Sequence, residues 1–185
     1  MTNQESLEVL RTSTNDFAES LLAQYDERGD LSEKQWYWIN KLAQEHAARG
    51  AFLPIYELLA KASEHLKYPK LVLNIDGHDL KLYRSGPKSK HCGAVQITDG
   101  GAFGDNVWYG RIEESGNLIA SRDCVDTVRA ALIALAGDVV GVTASYGIAT
   151  GNCCFCNARL TDERSLEAGF GPTCANHFGL PWGSK

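Results

Sequence analysis

The sequence predicts an α+β protein: N-terminal helices, a small antiparallel β-sheet with one packed helix, and a compact knuckle at the C-terminus. Three observations carry that expectation. Apolar residues recur with helical spacing from residue 15 to about 67, they alternate with strand spacing from 71 to about 121, and four of the six cysteines crowd into residues 153–174. The expected divisions are a helical segment over 1–67, a small α+β domain over 68–150 and a cysteine-rich module over 151–185.

The first helix is FAESLLAQYDER, capped by Asn15 or Asp16, with Phe17, Leu21, Leu22 and Tyr25 on one face and Gly29 as its stop. Ser32 and Gln35 form a capping box for the second, which turns Trp36, Ile39, Leu42 and Ala43 to one side and ends at Gly50. A third helix starts near Pro54, where the missing N–H costs nothing, and runs through Ile55, Leu58, Leu59 and Ala62. LVLNI and LKLYR flank Asp76-Gly77, a hairpin signal that His78 and Asp79 allow to widen, and GAVQIT, NVWYGRI and NLIAS complete an antiparallel sheet of five strands. Asp123 is expected to cap a helix whose face of Val125, Val128, Leu132 and Leu135 lies on that sheet. The stretch DVVGVTASYGIATG reads either way: its valines and threonines favour a strand, while Asp138 can cap a helix, the reading adopted here.

Composition narrows the function classes. With 44% hydrophobic and 22% charged residues the chain reads as a soluble globular protein. No apolar run approaches the roughly 18 residues of a membrane helix, and the acidic start MTNQESLEVLRTSTND is unlike a signal peptide. A cytoplasmic protein is expected, with no membrane partner. A net charge of −5 argues against non-specific coating of DNA, yet the charge is unevenly spread. Residues 1–33 carry eight acids and two bases, whereas residues 66–92 carry six bases and two acids.

Clustered thiols in such a chain point to metal rather than to disulfides. Cys153 and Cys156 make a Cys-x-x-Cys pair, the spacing at which a tight turn aims two thiolates at one ion. Cys174 and His177 make a Cys-x-x-His pair, which one helical turn places on one side. These four residues are the expected ligands of a structural zinc ion, with Cys154, Cys92 and His91 as alternatives to His177. Between the pairs, Thr161 is read as the cap of a short helix, and Gly169, Gly171 and Pro172 turn the chain back. So few large apolar residues cannot order this tail alone, so it is expected to pack against the preceding domain. The His-x-Glu signature of the zinc deaminases is missing before the Cys-x-x-Cys pair, so the site reads as closed rather than catalytic.

The run CCFCNARLTDERSLEAGFGPTC resembles a small, largely uncharacterised zinc-binding module that recurs in phage and actinobacterial proteins. The shared positions are Cys153, Cys156, Leu160, Thr161, Asp162, Ser165, Gly169, Gly171, Pro172 and Cys174. The resemblance spans residues 153–177, fixes three cysteines and leaves the fourth ligand open. It implies metal binding and, because such modules are often appended to DNA-handling proteins or to a small β-rich domain, nucleic-acid work. If the chain is phage-encoded, its compartment is the host cytoplasm.

The basic loop YRSGPKSKHC lies near aromatic strands bearing Phe103, Trp108 and Tyr109, the combination by which single strands are held through phosphate and stacking. Lys81, Arg84, Lys88 and Lys90 are expected to neutralise phosphate, and Trp108 or Tyr109, which alternate in a strand, to supply the stacking ring. Asp99, Asp105, Glu113 and Glu114 read as solvated turn acids rather than a two-metal nuclease site. DGGAFGD lacks the spacing and following helix of a phosphate loop, and no His, Ser, Cys and acid fall into a nucleophilic arrangement. The expected function is therefore non-enzymatic, zinc-containing nucleic-acid binding. The alternative is a protein-binding adaptor or inhibitor of a host or defence enzyme, with the acidic N-terminus or the Trp36-Tyr37-Trp38 run as its docking surface.

Overall fold

A computed structural model describes residues 1–47, 50–102 and 104–183 and divides the chain into two compact units, Met1–Arg49 and Gly50–Lys185.

The first unit holds α1 (Asn3–Leu10), α2 (Asp16–Arg28) and α3 (Glu33–Ala47) around Leu7, Leu10, Ala18, Leu21, Leu22, Ile39 and Ala43. α1 went unpredicted, although its signal is in the sequence. The Thr2 hydroxyl accepts from the Glu5 N–H and the Glu5 carboxylate accepts from the Thr2 N–H, a reciprocal capping box. Hydrogen bonding to the Glu5 carboxyl from the Thr2 N–H, and from the Thr2 side chain, holds it below its ordinary pKa. Asn15 caps α2 through the Ala18 N–H, and Ser32 with Gln35 caps α3 as expected.

The second unit holds α4 (Leu53–Ala62), a five-stranded sheet, α5 (Asp126–Gly137), α6 (Val139–Thr150), α7 (Glu163–Ala168) and α8 (Pro172–Phe178). The strands β1 (Lys70–Ile75), β2 (His78–Arg84), β3 (Val95–Thr98), β4 (Trp108–Ile112) and β5 (Leu118–Ala120) follow one another in sequence order, all antiparallel. The β1–β2 turn is the two-residue form: Asp76 and Gly77 both take positive φ, 50° and 82°, and Ile75 pairs with His78. Inward residues Leu71, Leu73, Leu80, Leu82, Val95, Ile97 and Ile112 share one core with α4, α5 and the C-terminal segment.

Two expected boundaries move. α4 belongs with the sheet, because Ile55, Leu58, Leu59 and Ala62 are buried in its core, so the division falls at 49/50 rather than near 67. α6 is a helix, started by Asp138 accepting from the Gly141 N–H at 2.8 Å, and it breaks from α5 by 106°. Among the described residues no single helix is long and apolar enough to cross a membrane. Asp123 does not cap α5. Its N–H donates to the Ser121 hydroxyl, and the helix starts at Asp126 with Val125 exposed beside it.

Candidate functional site

Residues 151–160 fold back on themselves. The Cys153 N–H donates to the Ala158 carbonyl at 2.9 Å, the Asn157 N–H to the Cys153 carbonyl at 2.8 Å and the Leu160 N–H to the Gly151 carbonyl at 2.8 Å. Asn157 sits at φ 61°, a conformation asparagine tolerates better than most residues. The turn aims Cys153 and Cys156 one way. α7 follows, capped by Asp162 rather than Thr161, since the Asp162 carboxylate accepts from both the N–H and the hydroxyl of Ser165 at 3.0 Å. Gly169 closes α7 at φ 77°, Pro172 opens α8, and α8 delivers Cys174 to the turn.

The sulfurs of Cys153, Cys156 and Cys174 all lie within 4.8 Å of one another. A zinc ion with bonds of about 2.3 Å sets its tetrahedral thiolates about 3.8 Å apart, so the three fit one ion with little adjustment. Cys153 is held well below the usual thiol pKa: the Cys174 thiol donates to it, and the backbone N–H groups of Cys156, Phe155 and Gly171 add to this against the cost of burial. The shared proton correspondingly holds the Cys174 thiol up. A metal ion would take that proton's place.

The fourth expected ligand is not in the group. His177 lies one turn along α8 from Cys174, but its ring stacks on His65, with centroids 5.2 Å apart and planes at 21°. Among the described residues the cluster contains the three cysteines alone. Cys154 stays outside it, is buried, and has its thiol pushed up by that burial. Cys92 is exposed on the β2–β3 loop, and His91 precedes it there. Asp99, Asp105, Glu113 and Glu114 form no ligand group among the described residues either. Glu113 instead accepts from Arg111 at 3.1 Å.

The knuckle is tied into the second unit from several sides. The Val72 N–H on the free edge of β1 donates to the Cys154 carbonyl at 2.8 Å, so the turn covers a strand edge that would otherwise stay open. Phe155 stacks on Phe178 at 3.9 Å and meets Phe170 edge-on, and all three rings lie in the sheet's core. On the other side Gly147 of α6 lies against the Gly169 carbonyl, with no room for a Cβ on either residue.

A family of unknown function (DUF6011) matches residues 143–179. No curated protein and no solved structure matches the chain. The match opens inside α6, ahead of the expected start at 151, and takes in Gly147, the three cysteines, Gly169 and α8. The family match and the three clustered cysteines together fit a small metal-binding module. The α6 floor was missed because nothing in VVGVTASYGIAT announces what it supports; only the close approach of Gly147 to Gly169 does.

The sheet turns its second face outward. Its register sets Lys70, Tyr83, Gln96 and Arg111 in one row across β1 to β4, and Val72, Lys81, Thr98 and Trp108 in the next. Two residues of β4 stand opposite one of β3, which puts Trp108 outward, its indole N–H donating to Gln96 at 3.0 Å, and lets Tyr109 pack against the core. Burial raises the Tyr109 pKa accordingly.

The expected nucleic-acid residues therefore part company. Lys81 and Trp108 share this face, and Lys88 and Lys90 are exposed on the loop beyond β2. Arg84 is engaged internally, donating to the Gly93 carbonyl at 3.1 Å and to the Tyr56 hydroxyl at 3.4 Å over the Tyr56 ring. Phe103 lies outside the described residues. Sequence reasoning missed Tyr68, Lys70 and Tyr83, while Arg111 on the same face is paired with Glu113. The alternation of KLVLNI and HDLKLYR already set Lys70, Lys81 and Tyr83 on the side opposite the buried leucines.

Proposed function

We propose that the protein is a non-enzymatic single-strand nucleic-acid-binding protein whose C-terminal module is held by one zinc ion. Cys153, Cys156 and Cys174 supply three thiolates, and His177 completes the shell by turning from His65 toward the ion, a move its place one helical turn from Cys174 allows. Such a closed site stabilises and does no chemistry. It would hold the turn that covers the β1 edge, and through it the strand that carries Lys70.

One observation carries the binding reading. The outward face of the sheet carries Lys70, Lys81, Tyr83 and Trp108, drawn from three strands, while the opposite face is core. Cations for phosphate and rings for bases on one open sheet are how single strands are held with little base selectivity. The family resemblance adds a phage or DNA-handling setting to this reading. The test is a titration of zinc-loaded protein with fluorescent oligothymidylate between about 50 and 200 mM salt. Binding should weaken steeply with salt, and Lys70→Glu/Lys81→Glu should abolish it. Binding indifferent to that pair would contradict the assignment.

A second reading rests on the first unit. Tyr37 is 60% and Phe17 49% exposed beside Trp38, on an acidic bundle suited to a basic protein partner. Partner binding of that kind should survive Lys70→Glu/Lys81→Glu and fail with Tyr37→Ala.

A further inference from the structure

Where the segment before β1 meets β2 and the β3–β4 loop, the sheet face deepens into a cleft of about 350 Å³ lined by Tyr68, Lys70, Lys81, Tyr83, Thr98, Gly101 and Asn106. That volume is at the low end of the roughly 300–1,000 Å³ of small-molecule sites, large enough for one nucleotide and too small for a folded partner. Two tyrosines reach it from separate segments, and Tyr68 is left 67% exposed. Each ring has a lysine beside it: Lys67 Nζ lies 5.3 Å from the Tyr68 centroid and Lys81 Nζ 6.0 Å from that of Tyr83. Among the described residues the lining contains two lysines and no carboxylate. The nearby Asp99 carboxylate is occupied, accepting from the Gly101 N–H at 2.9 Å.

We infer that this cleft takes one unpaired nucleotide of the bound strand, its base against Tyr68 and Tyr83 and its phosphate on Lys70 and Lys81. The inference rests on the nucleic-acid reading for its occupant and adds a discrete subsite to it. The flat rings answer a base, the lysines answer a phosphate, and the Asn106 amide offers one donor group and one acceptor to a base edge. Tyr68 lies outside the strands, so it contributes to this subsite without being part of the sheet's packing.

The experiment uses isotope-labelled full-length protein and follows amide shifts on titration with adenosine monophosphate, ribose 5-phosphate and inorganic phosphate. The expected result is saturable binding of adenosine monophosphate with shifts confined to residues around 68–70, 81–83 and 98–106, and much weaker binding of the two probes that lack a base. Tyr68→Ala, an exposed position, should weaken the adenosine monophosphate complex roughly fivefold or more, as removal of one stacking ring does. Ribose 5-phosphate binding as well as the nucleotide, or an unchanged affinity in Tyr68→Ala, would overturn the inference. Retained oligothymidylate binding with no mononucleotide binding would overturn the subsite alone and leave the sheet-face reading standing. Absence of both would overturn the two together.

Discussion

The cysteine knuckle and the open sheet face meet on the same strand and use it in opposite ways. β1 gives the knuckle its edge, through the Val72 N–H to the Cys154 carbonyl, and gives the open face its outward side chain Lys70, while Leu71 and Leu73 hold the core between them. At the knuckle, sulfurs and backbone groups are drawn together and largely buried, so damage there is damage to the fold. On the open face Lys70 and Trp108 are exposed and Lys81 and Tyr83 half-buried, outside the core, so a change there should be felt mainly by a ligand. Stability and recognition are thus separable by substitution within one small unit.

The largest effect that can break this comparison is removal of a thiolate. Cys153→Ser should abolish stoichiometric metal and, since a structural zinc contributes on the order of 10 kcal/mol against a typical domain stability of about 5–15, unfold much of the second unit. Metal analysis with circular dichroism checks it. Acidification should act in the same direction. The ligands bind metal as thiolates, so affinity is full at alkaline pH and falls as protons compete on descent, and a chelator should strip the ion faster at pH 5 than at pH 8.

Gly147→Ala should cost about 1–3 kcal/mol by forcing α6 from the Gly169 turn, visible as a lowered melting temperature with one metal ion still bound at saturating zinc. Thr2→Ala should cost the first unit about 1 kcal/mol, read as faster hydrogen exchange in α1, and leave metal content unchanged. The smallest effect on stability, within about 0.5 kcal/mol, is expected of Lys70→Glu/Lys81→Glu, the pair that should remove oligonucleotide binding. A Lys88→Glu/Lys90→Glu pair sharpens the contrast. These loop lysines lie off the two register rows and should weaken binding only modestly, lowering the salt slope by about 0.7 for each phosphate no longer neutralised.

The two sites differed in how far the sequence foretold them. The thiol cluster was partly readable: Cys153 and Cys156 form a short-range pair whose spacing a tight turn converts directly into proximity, whereas Cys174 reaches them only through the return of the chain over α7 and α8. His177 fits the same rule and still stands apart, because a side chain's rotamer depends on its neighbour, here His65, which is remote in sequence. The helices and the antiparallel order of the sheet followed from periodicity and from Asp76-Gly77. α1 was overlooked although its capping box was present. The open face was half legible: alternation gives the outward residues of each strand, but only the register aligns Lys70 with Tyr83 and Lys81 with Trp108 across strands. Arg84 misled because charge in a sequence does not show that a guanidinium is occupied by Gly93 and Tyr56.

The central claim, a single metal ion held by Cys153, Cys156 and Cys174, is most directly tested by cobalt substitution of the reduced full-length protein. One equivalent of cobalt should give the thiolate charge-transfer and tetrahedral ligand-field bands, displaced by one equivalent of zinc, with Cys174→Ser weakening both. A protein that takes up no cobalt, and whose three thiols all react freely with a thiol reagent at excess zinc, would contradict it.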